Sequence, residues 1–142
     1  MSKGNTFEND WLKLIFNGTA IANIADNAAS SPLTNLYLSL HTADPGEAGS
    51  QTTSECAYTS YARVAVARNS GGWVVTGSTV SPASTIIFPT CTGGIETATF
   101  AAIGTASSGT GKILYSGAIF PTIPISNGVP PELPTSSTIT ED

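Results

Sequence analysis

The ten residues LHTADPGEAG, positions 40–49, place the chain's one histidine, His41, near two carboxylates, Asp44 and Glu47, around a Pro-Gly pair. An imidazole beside two carboxylates is the raw material of a general acid–base pair or a metal site. The same letters also spell a chain reversal, in which Asp44 leads, Pro45 pre-sets φ at the next position and Gly46 tolerates positive φ. The turn is the stronger reading, because two loop carboxylates and one imidazole are too few ligands for a dedicated cation site. Asp44, Pro45, Gly46 and Glu47 are therefore expected as loop-contact positions, with no catalytic or metal-binding role. His41 follows the alternating run LYLSL, and strict alternation places it outward, with Tyr37 and Ser39.

Other chemistry is thinly represented. With one histidine, any Ser-His-Asp or Cys-His arrangement must use His41, and no Gly-x-Ser-x-Gly elbow occurs. The glycine-rich stretches at 70–72 and 105–111 lack the Gly-Lys-Ser/Thr and following helix of a phosphate loop. Cys56 and Cys91 are too few for a zinc site and are expected as reduced structural thiols. Tyr58, Tyr61, Trp73 and Tyr115 are expected to pack between strands, the alternative being aromatic faces presented to a sugar or protein partner. Asn17-Gly18-Thr19 matches a glycosylation acceptor but falls inside a predicted helix. No cofactor is called for by any of these residues.

Composition narrows the class further. Charged residues are 11% of the 142-residue chain, far below the roughly 25% of an ordinary soluble domain, whereas Ser and Thr make up about a quarter. Five Lys and Arg against ten Asp and Glu cannot neutralise a row of phosphates, so nucleic acid is excluded as a partner. A net charge of −5 opposes binding to anionic lipid, and no apolar run reaches the roughly 20 residues of a membrane span. The opening MSKGNTFEND has no apolar signal-peptide region, which predicts synthesis in a cytoplasm.

The elements that must position these residues follow from periodicity. Residues 5–29 read as a helix, with Asn5 capping toward Glu8, an apolar face of Leu12, Ile15 and Phe16 flanked by Trp11, and a weak point at Gly18 where it can break and resume. Period-two strands are predicted at 36–40, 62–68, 72–76, 85–88, 97–103, 112–119, 123–125 and 137–140, separated by Gly, Ser, Asn and Pro. One helix followed by many short strands predicts a mainly β fold, an antiparallel, jelly-roll-like β-sandwich with an N-terminal α-helix. The expected organisation is a helical segment over residues 1–31 and a sandwich body over 32–142, within one domain. Trp11, Leu12, Ile15 and Phe16 are the expected assembly face, since a lone helix of this length needs a packing partner.

The runs NLYLSLHTADPGEAGSQTTSECAYTSYARVAVAR, GGWVVTGSTVSPASTIIFPTCTGG and IGTASSGTGKILYSGAI, with NDWLKLIFNGTAIANIAD before them and TITED at the end, resemble a family of small tailed-bacteriophage virion proteins often labelled tail fibre proteins. The likeness spans nearly the whole chain. It implies a non-catalytic structural component, made in the host bacterial cytoplasm and built into the virion, with other capsid or tail proteins as partners and no catalytic residues to carry over. A compact sandwich without a repetitive shaft points to a surface module of tail-fibre-like or capsid-decoration type, with homo-oligomeric assembly. The alternative is a receptor-binding module for host surface glycan.

Overall fold

The computed structural model describes residues 3–21, 24–25 and 32–141. They form one α-helix and nine strands, arranged as a four-stranded, a three-stranded and a two-stranded sheet. Every strand pairing with a described register is antiparallel. The mainly β, antiparallel class with an N-terminal helix is the one the sequence predicts. The chain makes two compact units from discontinuous pieces: Met1–Asn35, Val66–Thr85 and Pro134–Asp142 in the first, Leu36–Ala65 and Ile86–Leu133 in the second. By compactness, the helix shares its unit with later strands.

In the first unit, helix α1 (Asn5–Asn17) packs against strands β3 (Trp73–Thr76) and β4 (Thr79–Pro82), and β9 (Ile139–Thr140) pairs with β4. Glu8, Leu12 and Phe16, spaced at i, i+4, i+8, form its buried stripe. Leu12 and Phe16 are wholly buried, and Phe16 meets Trp73 edge-on at 4.8 Å between ring centroids. The helix is shorter than predicted. Gly18 takes a left-handed φ of 66°, Thr19 N–H donates to the Lys13 carbonyl, and the helix stops at Asn17 instead of running to residue 29. Ile21 and Ala25 form an isolated bridge, and residues 26–29 lie outside the described set. Asn5 does not cap; Gly4 is the N-cap and Glu8 N–H donates to its carbonyl at 3.1 Å.

The helix C-terminus is satisfied from a distance in sequence. The Arg68 guanidinium donates to the carbonyls of Leu14 and Ile15, and also to Leu33. These are orphan acceptors at the negative end of the helix dipole, so a fixed cation serves both needs. Burial pulls the Arg68 pKa down from its usual value.

In the second unit, β1 (Asn35–His41) lies between β2 (Val64–Ala67) and β6 (Glu96–Gly104), and β7 (Ile113–Ile125) forms the outer edge beyond β6. β2 is the strand in which the chain passes from one unit to the other. A separate pair joins β5 (Ile86–Ile87) to β8 (Glu132–Leu133). The segments predicted at 112–119 and 123–125 are one long strand, interrupted where pairing jumps from Ala98↔Ile123 to Phe100↔Ala118. β4 and β8 escape the periodicity because Pro82, and the prolines around Glu132–Leu133, read as punctuation.

One expectation about β1 is reversed. Leu36, Leu38 and Leu40 are buried as alternation requires, but Ser39 and His41, expected outward, are 0% exposed as well. The loop after β1 returns along the strand: Thr42 N–H donates to Ser54, Cys56 N–H to Leu40, and Leu40 N–H to the Tyr61 hydroxyl. The second face of the strand is thereby covered.

Truncating the helix anchor tests this packing. Phe16→Ala, which opens a cavity against Trp73, is expected to cost about 3–5 kcal/mol of stability, measured by urea denaturation of the purified chain.

Candidate functional site: the 40–49 loop and its cleft

At the end of β1, Ser39 Oγ lies 2.9 Å from His41 Nε2, and His41 Nδ1 lies 2.8 Å from the Thr53 carbonyl oxygen. A carbonyl only accepts, so Nδ1 carries the proton and Nε2 of the neutral ring accepts from Ser39 Oγ. Burial is the main cause that lowers the His41 pKa, outweighing the opposing effect of the Thr53 hydrogen bond. A serine in hydrogen-bond reach of an oriented imidazole has the outline of an activated nucleophile. Both side chains are sealed from solvent, however, and the group orienting the ring is a backbone carbonyl. The pair ties β1 to its covering loop.

Asp44 and Glu47 do not join His41. Asp44 Oδ1 accepts the Gly46 N–H at 2.8 Å, Gly46 takes φ +69°, and Gly49 N–H closes on the Gly46 carbonyl at 3.1 Å. This is a side-chain-stabilised reversal, as the Asp-Pro-Gly spelling implies. Pro45 is buried beneath it, while Asp44, Gly46 and Glu47 are exposed. A Cβ on Gly49 would sit 2.0 Å from the Pro45 carbonyl oxygen, so only glycine fits the return. The loop borders an open cleft of about 390 Å³, completed by Phe100 of β6 and residues 113–116 of β7. Among the described residues, no three His, Cys, Asp or Glu side chains come together as a metal cluster.

The polar side chains that organise this region were not singled out in the sequence. Arg63 pairs with Glu55, Nε to Oε1 at 2.7 Å and Nη2 to Oε2 at 2.8 Å, and also donates to the carbonyls of Ala106 and Gly109. The Tyr61 hydroxyl donates to Glu55 at 2.9 Å. The hydrogen bonds that Arg63 donates to Glu55 raise its pKa further. Gln51, wholly buried, donates to Tyr37 O and accepts from Ala106 N–H; Gly104 and Gly111 give it room, since a Cβ at either would lie within 2.1 Å of its amide. Glu96 accepts the N–H groups of Ala57 and Tyr58. In a chain this poor in charge, an acid and an arginine eight residues apart were the available signal.

Cys56 and Cys91 are buried free thiols. Burial, reinforced by Glu96, pushes the Cys56 thiol up to about 12. Tyr58 and Trp73 are buried, Tyr58 meets Tyr61 edge-on at 5.3 Å, and Tyr115 is half-buried at the cleft. Of the helix positions, Leu12 and Phe16 lie in the core of their own unit, whereas Trp11 and Ile15 are half-buried. The loop residues 44–47 and the helix residues 11–16 belong to different units.

In this β-rich body the one histidine, Arg63 and the half-buried Glu55 and Glu96 hold loops in place. The chain belongs to the family described as podophage GP4 fiber I protein gp80, whose model matches residues 2–140. No curated protein matches the chain. Membership makes it a structural component of the phage virion, of fibre type, associated with other virion proteins.

Two measurements test the buried groups. Because the folded-state pKa of His41 lies below its ordinary 6.5, the unfolded chain takes up a proton first as pH falls. Stability is therefore expected to decline below pH 6.5, by up to about 1.4 kcal/mol per pH unit, until the folded histidine also protonates. Urea denaturation between pH 7.5 and 5 reads this slope, and His41→Gln should flatten it. The thiols should resist alkylation at pH 8 in the native chain and react on unfolding, as counted by intact mass.

Proposed function

We propose that the chain is a non-catalytic surface module of a tailed-phage virion, of tail-fibre-like or capsid-decoration type, which self-associates, assembles on the particle and stabilises it. The observation that carries this reading is the fate of His41: both ring nitrogens are engaged and the side chain has no exposure. The candidate acid–base group therefore acts as a fastener. The sparse charge supports the same reading, because closely packed copies then repel only modestly. Trp11 and Ile15 on the helix, and Asp44, Gly46 and Glu47 on the loop, are the proposed contacts with neighbours.

A second reading, contact with host surface glycan, is favoured by the exposed hydroxyls of the loops near 59 and 92, held together by Ser60 Oγ and Thr92 Oγ1 at 2.5 Å. Rigid uncharged hydroxyls suit a polyhydroxyl ligand. Against it, Tyr58 and Trp73 are buried and offer no stacking face.

Imaging of intact particles discriminates these roles. Many copies over the shell mean decoration, and a few at the tail mean a fibre or adhesion part. The purified chain, like its Asp44→Asn/Glu47→Gln variant, is expected to leave host polysaccharide intact. Polysaccharide cleavage that disappears in that variant would sink the non-catalytic reading.

A further inference from the structure

We infer that the Thr53–Ser54 segment lying against His41 is an acid-opened latch, released when the buried imidazole takes up a proton. The release is local and leaves the sheets paired. In the closed form His41 Nδ1–H donates to the Thr53 carbonyl at 2.8 Å, and Nε2 accepts from Ser39 Oγ at 2.9 Å. A protonated ring donates from both nitrogens. Ser39 Oγ would then have to accept, which leaves its own proton the Ala102 carbonyl at 3.5 Å, well beyond the roughly 2.5–3.0 Å of a sound O–H···O bond.

The charge is as poorly served as the proton. Glu55 and Arg63 are the charged groups that face His41. The Glu55 carboxylate is committed to Arg63 through two hydrogen bonds and to the Tyr61 hydroxyl through a third, and Arg63 is itself a cation. From β6, Phe100 stands opposite His41 and Ala102 opposite Ser39, and neither titrates. An imidazolium sealed from water without a free counter-ion is costly, so it favours an arrangement that admits water.

The cover over the ring is thinnest where it is already strained. Thr53 is half-buried and Ser54 is exposed, and Ser54 takes φ +53°, in the left-handed region that a residue with a Cβ avoids. Strain of this kind persists only while its neighbours impose it, and release relaxes it. Firm anchors lie on either side. The wholly buried Gln51 side chain is bonded to Tyr37 O and Ala106 N–H, and Glu55 is held by Arg63, so residues 52–54 can swing out as a short strap between fixed points.

Thr42 N–H and Oγ1 both donate to the Ser54 carbonyl, at 2.8 and 3.2 Å, so opening also unties the base of the loop that carries the 44–47 reversal. Acid thereby loosens the contact with neighbours proposed for that loop. This consequence rests on the assembly reading above, whereas the latch does not.

The test is amide hydrogen exchange, followed by NMR on the purified full chain between pH 7.5 and 5, with each rate divided by the intrinsic rate at that pH. The Thr42 amide reports the latch. Gln51 N–H, bonded to Gly111 O, and Cys56 N–H, bonded to Leu40 O, report the anchors. Below the ordinary histidine pKa of 6.5, Thr42 protection is expected to fall by up to about tenfold per pH unit, while Gln51 and Cys56 keep theirs. His41→Gln should leave Thr42 protection independent of pH, and Ser54→Gly, which suits positive φ, should raise it severalfold. Thr42 protection that stays flat with pH in the wild-type chain, or falls in step with Gln51 and Cys56, overturns the latch. So does an unchanged fall in a folded His41→Gln chain; should that variant not fold, the three wild-type amides decide. Virions that hold the chain at pH 5 as firmly as at pH 7.5, although the latch opens, overturn the 44–47 contact reading and leave the latch standing.

Discussion

The second unit depends on one interaction more than any other, the pairing of Arg63 with Glu55 and the two carbonyls beyond it. The Arg63 side chain is 3% exposed and that of Glu55 15%. Arginine can make such a hub because its planar fork presents five donors and stays charged even when buried. With the carboxylate on one side and the carbonyls of Ala106 and Gly109 on the other, it ties the return loop after β1 to the loop between β6 and β7. Removing either charge would strand the other away from water, which costs far more than an exposed pair contributes. Arg68 repeats the device in the first unit, on the last carbonyls of α1. Both arginines of the chain thus organise backbone.

Much else follows from that clamp. A covered second face of β1 allows Ser39 and His41 to be interior, and an interior imidazole must be neutral and doubly hydrogen-bonded. What resembles a serine–histidine dyad in distance is therefore the interior solution to a buried polar pair. Gln51 and Glu96 act likewise, each satisfying backbone groups that a long loop would otherwise leave unpaired. Loop order in this protein comes from a handful of polar side chains turned inward, and its outer surface is left mostly to hydroxyls and small residues.

That division suits a virion part. A particle component must present fixed surfaces to neighbours, and rigid loops lose little entropy when they are contacted. The fibre family to which the chain belongs supplies the setting.

The sequence by itself determined the class: the period-two runs, the helix at the N-terminus, the Asp-Pro-Gly reversal and the inward leucines of β1 are all local patterns, fixed by sterics and alternation within a few residues. The glycine that ends α1 was legible as a weak point, and its left-handed conformation stops the helix at Asn17. What only the tertiary structure decided was the role of each polar residue. His41 reads as outward because alternation knows one partner face, and nothing within β1 announces that residues 53–61 will close the other. For the same reason, Glu55, Arg63 and Arg68 were not singled out. Whether a charge is solvated or clamped depends on which distant carbonyls arrive beside it, and those contacts, between residues 35 to 54 positions apart for the two arginines, are set by packing and not by neighbours in sequence.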